Sequence, residues 1–111
     1  MDGKMAIDPT LERQSAARRA RSGATYASTP RGHAAQRLAS ALDNAYYAHQ
    51  RFRLQRPVFG LHGENYDDRR ERVWADVNAF CERTIELARK QAVNAGWTNS
   101  ELRASGLDLP E

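Results

Sequence analysis

Residues 29–55, TPRGHAAQRLASALDNAYYAHQRFRLQ, and residues 68–95, DRRERVWADVNAFCERTIELARKQAVNA, decide the fold. In the first, Ala35, Leu38, Leu42, Ala45, His49 and Phe52 recur at steps of three or four. That is the spacing of one helix face and of a coiled-coil seam. Thr29 suits the cap and Pro30 the first helical position. Ala34, Ala41, Ala48 and Tyr47 widen the apolar face, and small alanines let a neighbouring helix come close. Arg56-Pro57 ends the segment, because the residue before proline avoids helical geometry.

The second stretch carries two stripes. Val73, Val77, Phe80, Thr84 and Leu87 form one; Trp74, Cys81, Ile85, Ala88 and Ala92 form an adjoining one. A face this broad needs more than one covering helix. The expectation is that the 38–52 and 73–87 faces turn toward each other, with Leu42 and Phe80 both in the core. Asp68 with Glu71 has the spacing of a capping box, with Asn65 the other candidate start, and Gly96 is the stop. Asp76, Glu82, Arg83, Glu86, Arg89 and Lys90 fill the outer face, with Glu86 ordered ahead of Lys90 for a weak surface pair.

Two long helices and a short loop read as an antiparallel hairpin. The fold expected is all-α: that hairpin, a short C-terminal helix and a marginal N-terminal one, completed as a bundle by self-association. The domain spans residues 29–111, preceded by a basic arm over residues 1–28. In the arm, Asp8-Pro9 starts a helix that Gly23 stops. It has few large apolar residues after Leu11, so it should pack loosely or order against another chain. Residues 22–28, SGATYAS, read as a linker. At the other end Thr98 and Glu101 form a second capping box, with Trp97 and Leu102 at staple spacing. That helix covers residues 99–105 and stops at Gly106. Leu107 and Leu109 then tuck back on the hairpin.

A chain of 111 residues builds one modest core, so self-association is a natural way to gain buried area. No apolar run approaches the ~20 residues of a membrane span. MDGKMAIDPT lacks the apolar core of a secretory signal. One cysteine, Cys81, makes no internal disulfide, and a cytoplasmic home is expected. The net charge of +3 hides an asymmetry. Residues 1–56 carry ten Lys/Arg and four Asp/Glu, whereas residues 57–111 carry seven and ten. Either the basic half lies against the acidic one, or it meets an acidic partner or nucleic acid.

Catalytic chemistry finds no foothold. His33, His49 and His62 have no i, i+4 pairing and Cys81 has no cysteine neighbour, so no metal or cofactor is expected. His49 reads as a core or interface residue. Glu64, Asp67, Asp68 and Glu71 are explained by helix-start electrostatics. No nucleophile elbow or phosphate loop is present. The expectation is a small non-enzymatic protein that binds and regulates or inhibits another macromolecule. Phages and mobile elements encode proteins of this compact type. Its partner is a protein with an acidic surface, alongside a second copy of itself. The candidate contact residues are Arg13, Arg18, Arg19 and Arg21 of the arm, Tyr46 and Arg53 of the first long helix, and Phe59 and Leu61 of an apolar loop, PVFGLHGENY (57–66). The alternative is a nucleic-acid-binding accessory protein that grips phosphates through the arginine arm. Against it, no aromatics interleave the arginines for base stacking, and the long helices lack a tight turn between them.

Overall fold

The computed structural model describes residues 9–54 and 66–108, with side chains described for 11–52 and 69–108. Four helices follow in order: α1 (Pro9–Arg21), α2 (Pro30–Leu54), α3 (Tyr66–Asn94) and α4 (Asn99–Ala104). No strand occurs among the described residues.

The helix limits follow local chemistry. The Thr29 hydroxyl accepts from the Gly32 amide at 3.0 Å and Pro30 takes the first helical position of α2. At the end of α3, the Trp97 amide reaches the Ala92 carbonyl and the Gly96 amide the Val93 carbonyl. That double closure requires the left-handed backbone seen at Gly96, φ +110°. In α4 the expected capping box is complete: Thr98 accepts from the Glu101 amide, and Glu101 accepts from the Thr98 amide. The closure after α4 repeats the same pattern, Leu107 to Leu102 and Gly106 to Arg103. One expected cap is corrected. Because α3 already begins at Tyr66, Asp68 lies inside its first turn and does not cap it. Asn65 lies outside the described residues.

Helices α2 and α3 pack against each other. The end of α2 meets the start of α3, where Phe52 stacks on Trp74 at 4.6 Å. The start of α2 meets the end of α3, where the Trp97 indole donates to the Arg31 carbonyl at 2.9 Å. Their chain directions are therefore opposed. The residues joining them, 55–65, lie outside the described residues, and so does the expected loop tip.

The core is small and mostly alanine. Ala34, Ala35, Leu38, Ala41 and Leu42 of α2 meet Ala88 and Ala92 of α3, with Leu102 and Leu107 closing the cluster. Ile85, Tyr26, Ala95 and Trp97 pack at its edge. Small side chains on both helices suit close backbone approach, so the alanine-bearing stripe of α3 turns toward α2. His49 is buried against Trp74, with ring centroids 4.8 Å apart.

The other α3 stripe is the main correction. Phe80 is 62% exposed, Val73 62% and Leu87 60%, so residues expected in the core face water. Residues one position apart on a helix differ by about 100°, and the two stripes are offset by one residue. Once the stripe of Trp74, Cys81, Ile85, Ala88 and Ala92 faces α2, its neighbour cannot.

The N-terminal helix is a second correction. It does not lie loose: α1 docks on α2, with Gln14, Ala17 and Arg21 buried. Gly106 comes so close that a Cβ there would stand 2.5 Å from the Ala17 carbonyl oxygen. Its left-handed φ of +73° adds a second reason for glycine.

Arg31 ties the α2 start to α4. Its guanidinium lies 4.1 Å above the Trp97 ring, donates to the Gly96 carbonyl at 2.6 Å, and pairs with Glu101 at 2.8 Å. The Thr98 amide first, and then Arg31, hold the Glu101 carboxyl below its usual range. A depressed folded-state pKa means the cap's contribution is full above the ordinary carboxylate value, about 4.3, and disappears as pH falls through the lowered one. The Thr98 amide resonance should therefore titrate with a midpoint below that ordinary value; a midpoint at or above it contradicts the capping account. For the core, Leu42→Ala should cost about 2–5 kcal/mol in urea unfolding. Phe80→Ala should change stability by no more than about 0.5 kcal/mol. Equal large losses would place Phe80 inside.

Candidate docking surface on α3

Val73, Val77, Phe80, Thr84 and Leu87 advance by alternate steps of four and three. They therefore form one continuous ridge, about 21 Å long at 1.5 Å per residue. Val73, Val77, Phe80 and Leu87 are all exposed. Thr84 turns its hydroxyl inward onto the Phe80 carbonyl at 2.9 Å, which leaves its methyl group to continue the apolar line. No other described surface gathers as many large apolar side chains.

A groove runs beside the ridge, between α2 and α3. It has a volume of about 560 Å³ and is open to solvent. Its α3 wall is Thr84, Leu87, Ala88 and Gln91; its α2 wall is His33, Gln36, Arg37, Ser40, Ala41 and Asn44. The floor is apolar where the buried Ala41 and Ala88 line it. The α2 wall is polar and supplies hydrogen-bonding groups along one side. On the far side of Leu87 a second depression holds Arg83 and Lys90 with Glu82 and Glu86. The ridge thus rises between two hollows.

The arginine arm is divided by the fold. Arg21 is 6% exposed, with its Nε donating to Asp43 Oδ1 at 3.0 Å and its Nη2 to the same oxygen. Its Nη1 donates to the Gly106 carbonyl at 3.0 Å. This one side chain joins α1, α2 and the segment after α4, so it is spent inside the chain. Arg18 donates to the Tyr47 hydroxyl at 2.7 Å and lies over both tyrosine rings at 5.4 Å. Arg13 and Arg19 are exposed on the outer face of α1. Arg18 is exposed as well, so Arg21 is the one member of the four that is buried.

Tyr46 is half-buried. Its hydroxyl accepts from Gln50 at 2.9 Å and its ring meets Tyr47 edge to face at 5.4 Å. Tyr47 is the more exposed of the pair, the reverse of the expectation from sequence. Arg53 lies in the last turn of α2, with its side chain outside the described residues. Phe59 and Leu61 are outside them altogether. The structure brings Arg18, Arg21 and Tyr46 together around the α1–α2 contact, and none of these lies on the α3 ridge.

Cys81 sits on the stripe facing α2 and is half-buried. Desolvation first, and then the Glu82 carboxylate, push its thiol up from its ordinary value, which disfavours the nucleophilic thiolate. Among the described residues, no three His, Cys, Asp or Glu side chains lie close enough to hold a metal ion. No described helix is long and apolar enough to cross a membrane.

Sequence reasoning identified every residue of the ridge but assigned the ridge to the core. The signal that separates the stripes is side-chain size. The α2 face is alanine-rich, and the α3 stripe that ends in Ala88 and Ala92 matches it.

Comparison of the chain with protein-family models, with curated protein sequences and with solved structures returns no match.

Arg21→Ala should cost about 1–3 kcal/mol, because it leaves a buried carbonyl and a half-exposed carboxylate without their donor. Amide exchange over α1 should accelerate with it. Unchanged exchange over residues 9–21 would mean that another contact holds α1 down.

Proposed function

We propose that this chain is a small helical interaction module that regulates or inhibits another protein by docking on it through the α3 ridge. The observation that carries the reading is the inversion of side-chain size. Alanines fill most of the core, while Val73, Val77, Phe80 and Leu87 stand in water. Leaving a Phe or Leu side chain exposed forgoes about 1.5–3 kcal/mol of burial energy each. A contiguous line of such residues is the usual mark of a contact surface. The four-three spacing is that of a helix seam, so a helix laid along the ridge and its groove meets apolar side chains on every turn.

The same spacing also suits a second copy, and this is the second reading. The packed α2–α3 pair would then complete its core by pairing α3 with α3 of another chain. The nucleic-acid alternative is less well supported, since Arg21 is buried in the fold and Arg18 is engaged by Tyr47 at the surface, although Arg13, Arg18 and Arg19 all remain exposed.

The test uses Phe80→Glu/Leu87→Glu as a bait beside the wild type, with crosslinked complexes recovered from the native host. Proteins captured by the wild type and lost with the variant support docking on the ridge. An identical set with both baits contradicts it. Sedimentation of the same two proteins separates the readings, because a wild-type dimer that the double variant converts to monomer favours self-association.

A further inference from the structure

The occupant of this ridge is defined by the charges that border it, an inference that rests on the docking reading above. Along α3, on the side of the ridge away from α2, residues seven apart form a line: Arg69, Asp76, Arg83 and Lys90, all exposed. On α2, across the groove, Arg37, Asn44 and Arg51 form a matching line at the same seven-residue step, also exposed. The ridge therefore runs between two rows of side chains in which Asp76 is the single acid, with Glu82 and Glu86 standing beside Arg83 and Lys90 in the hollow beyond Leu87. Glu86 lies 4.0 Å from Arg89, and with Glu82 it offsets part of the charge of Arg83 and Lys90; Arg37, Arg51 and Arg69 add to the basic side of the border. Of the polar groups that line the groove, Arg37 carries the one permanent charge.

A second copy fits this border poorly. If two α3 helices cross antiparallel on the ridge, the register that sets Asp76 against Arg83 of the second copy also sets Arg69 against its Lys90. Arg37 and Arg51 find no acid in that arrangement. Like charges placed opposite one another cost binding free energy and suppress the pairing. An amphipathic helix with apolar residues at the seam and acids on both flanks meets no such conflict.

We propose that the α3 ridge and the groove beside it receive an acidic amphipathic helix of another protein, its apolar seam on Val77, Phe80 and Leu87 and its flanking carboxylates on Arg37 and Arg83. The basic rows set orientation and speed the encounter, while the ridge supplies the buried area.

The experiment uses the full chain and three synthetic amphipathic helices of about 18 residues, long enough to cover the ridge. All three carry the same leucine seam; their flanks are glutamate, lysine or glutamine. Binding is followed by fluorescence anisotropy across a salt series, with a random DNA duplex as a fourth probe. The glutamate peptide should bind about tenfold or more tighter than the lysine one, and that gap should narrow as salt rises. Phe80→Glu should abolish binding while circular dichroism stays unchanged, and Arg37→Glu/Arg83→Glu should reverse the preference. Binding by all three peptides with no dependence on flank would overturn the acidic partner while leaving the docking surface. Binding by none would remove the docking reading itself. A stable dimer that no peptide displaces would make the occupant a second copy. A duplex that outcompetes the glutamate peptide, and is lost with the arginine variants, would make it a nucleic acid.

Discussion

The offset of one residue between the two apolar stripes of α3 governs this molecule. A rotation of about 100° separates them, and a helix turns only one such stripe squarely toward a single neighbour. The stripe that ends in Ala88 and Ala92 goes to α2, because two alanine-bearing faces allow close approach. Everything larger on the adjoining stripe is then left outside. The result is a core of four leucines set among alanines, closed by Trp97 and Tyr26, with an apolar ridge on its exterior.

A core this lean depends on its fastenings. Arg21 gathers α1, α2 and the chain after α4 onto one guanidinium. Arg31 does the same for the start of α2 and the Trp97–Glu101 turn. At the other end Phe52 is held between the Trp74 ring and the Arg70 guanidinium, 4.0 Å away. Arg89 reaches Asp108 at 3.5 Å and so ties the last described residues to α3. Three of these arginines lie over aromatic rings or in buried polar contacts, where a planar, permanently charged group works better than lysine would. Of the arm arginines that read as a phosphate-binding signature, Arg21 is thus internal joinery, while Arg13, Arg18 and Arg19 stay exposed.

Much of the fold was legible because helix limits are local. Thr29-Pro30, Thr98 with Glu101, and glycines at 23, 96 and 106 act within a few residues of themselves, and each is found at its expected place. The α3 start is the exception, since α3 begins before Asp68. What could not be read were the choices made between distant segments. Which α3 stripe faces α2 depends on matching side-chain sizes across two helices. The docking of α1 depends on Arg21 finding Asp43 and a carbonyl at Gly106, 85 residues away. A trace of that second choice was present, since Asp43 is the only acid in α2. The ordering of Tyr46 and Tyr47 turned on the same contact, because Arg18 of α1 settles over both rings. The candidate site suffered most: the residues of its ridge were recognised, but as interior, and the polar wall of its groove was not singled out.

The most direct test of the account is solvent relaxation of methyl resonances by a soluble gadolinium chelate, measured on the chain diluted until it sediments as a monomer. The Val73 and Leu87 methyls should relax strongly, while those of Leu38 and Leu42 should be protected. Protection of Val73 and Leu87 equal to that of Leu38 would mean the ridge is covered within the chain, and the docking account would fall with it.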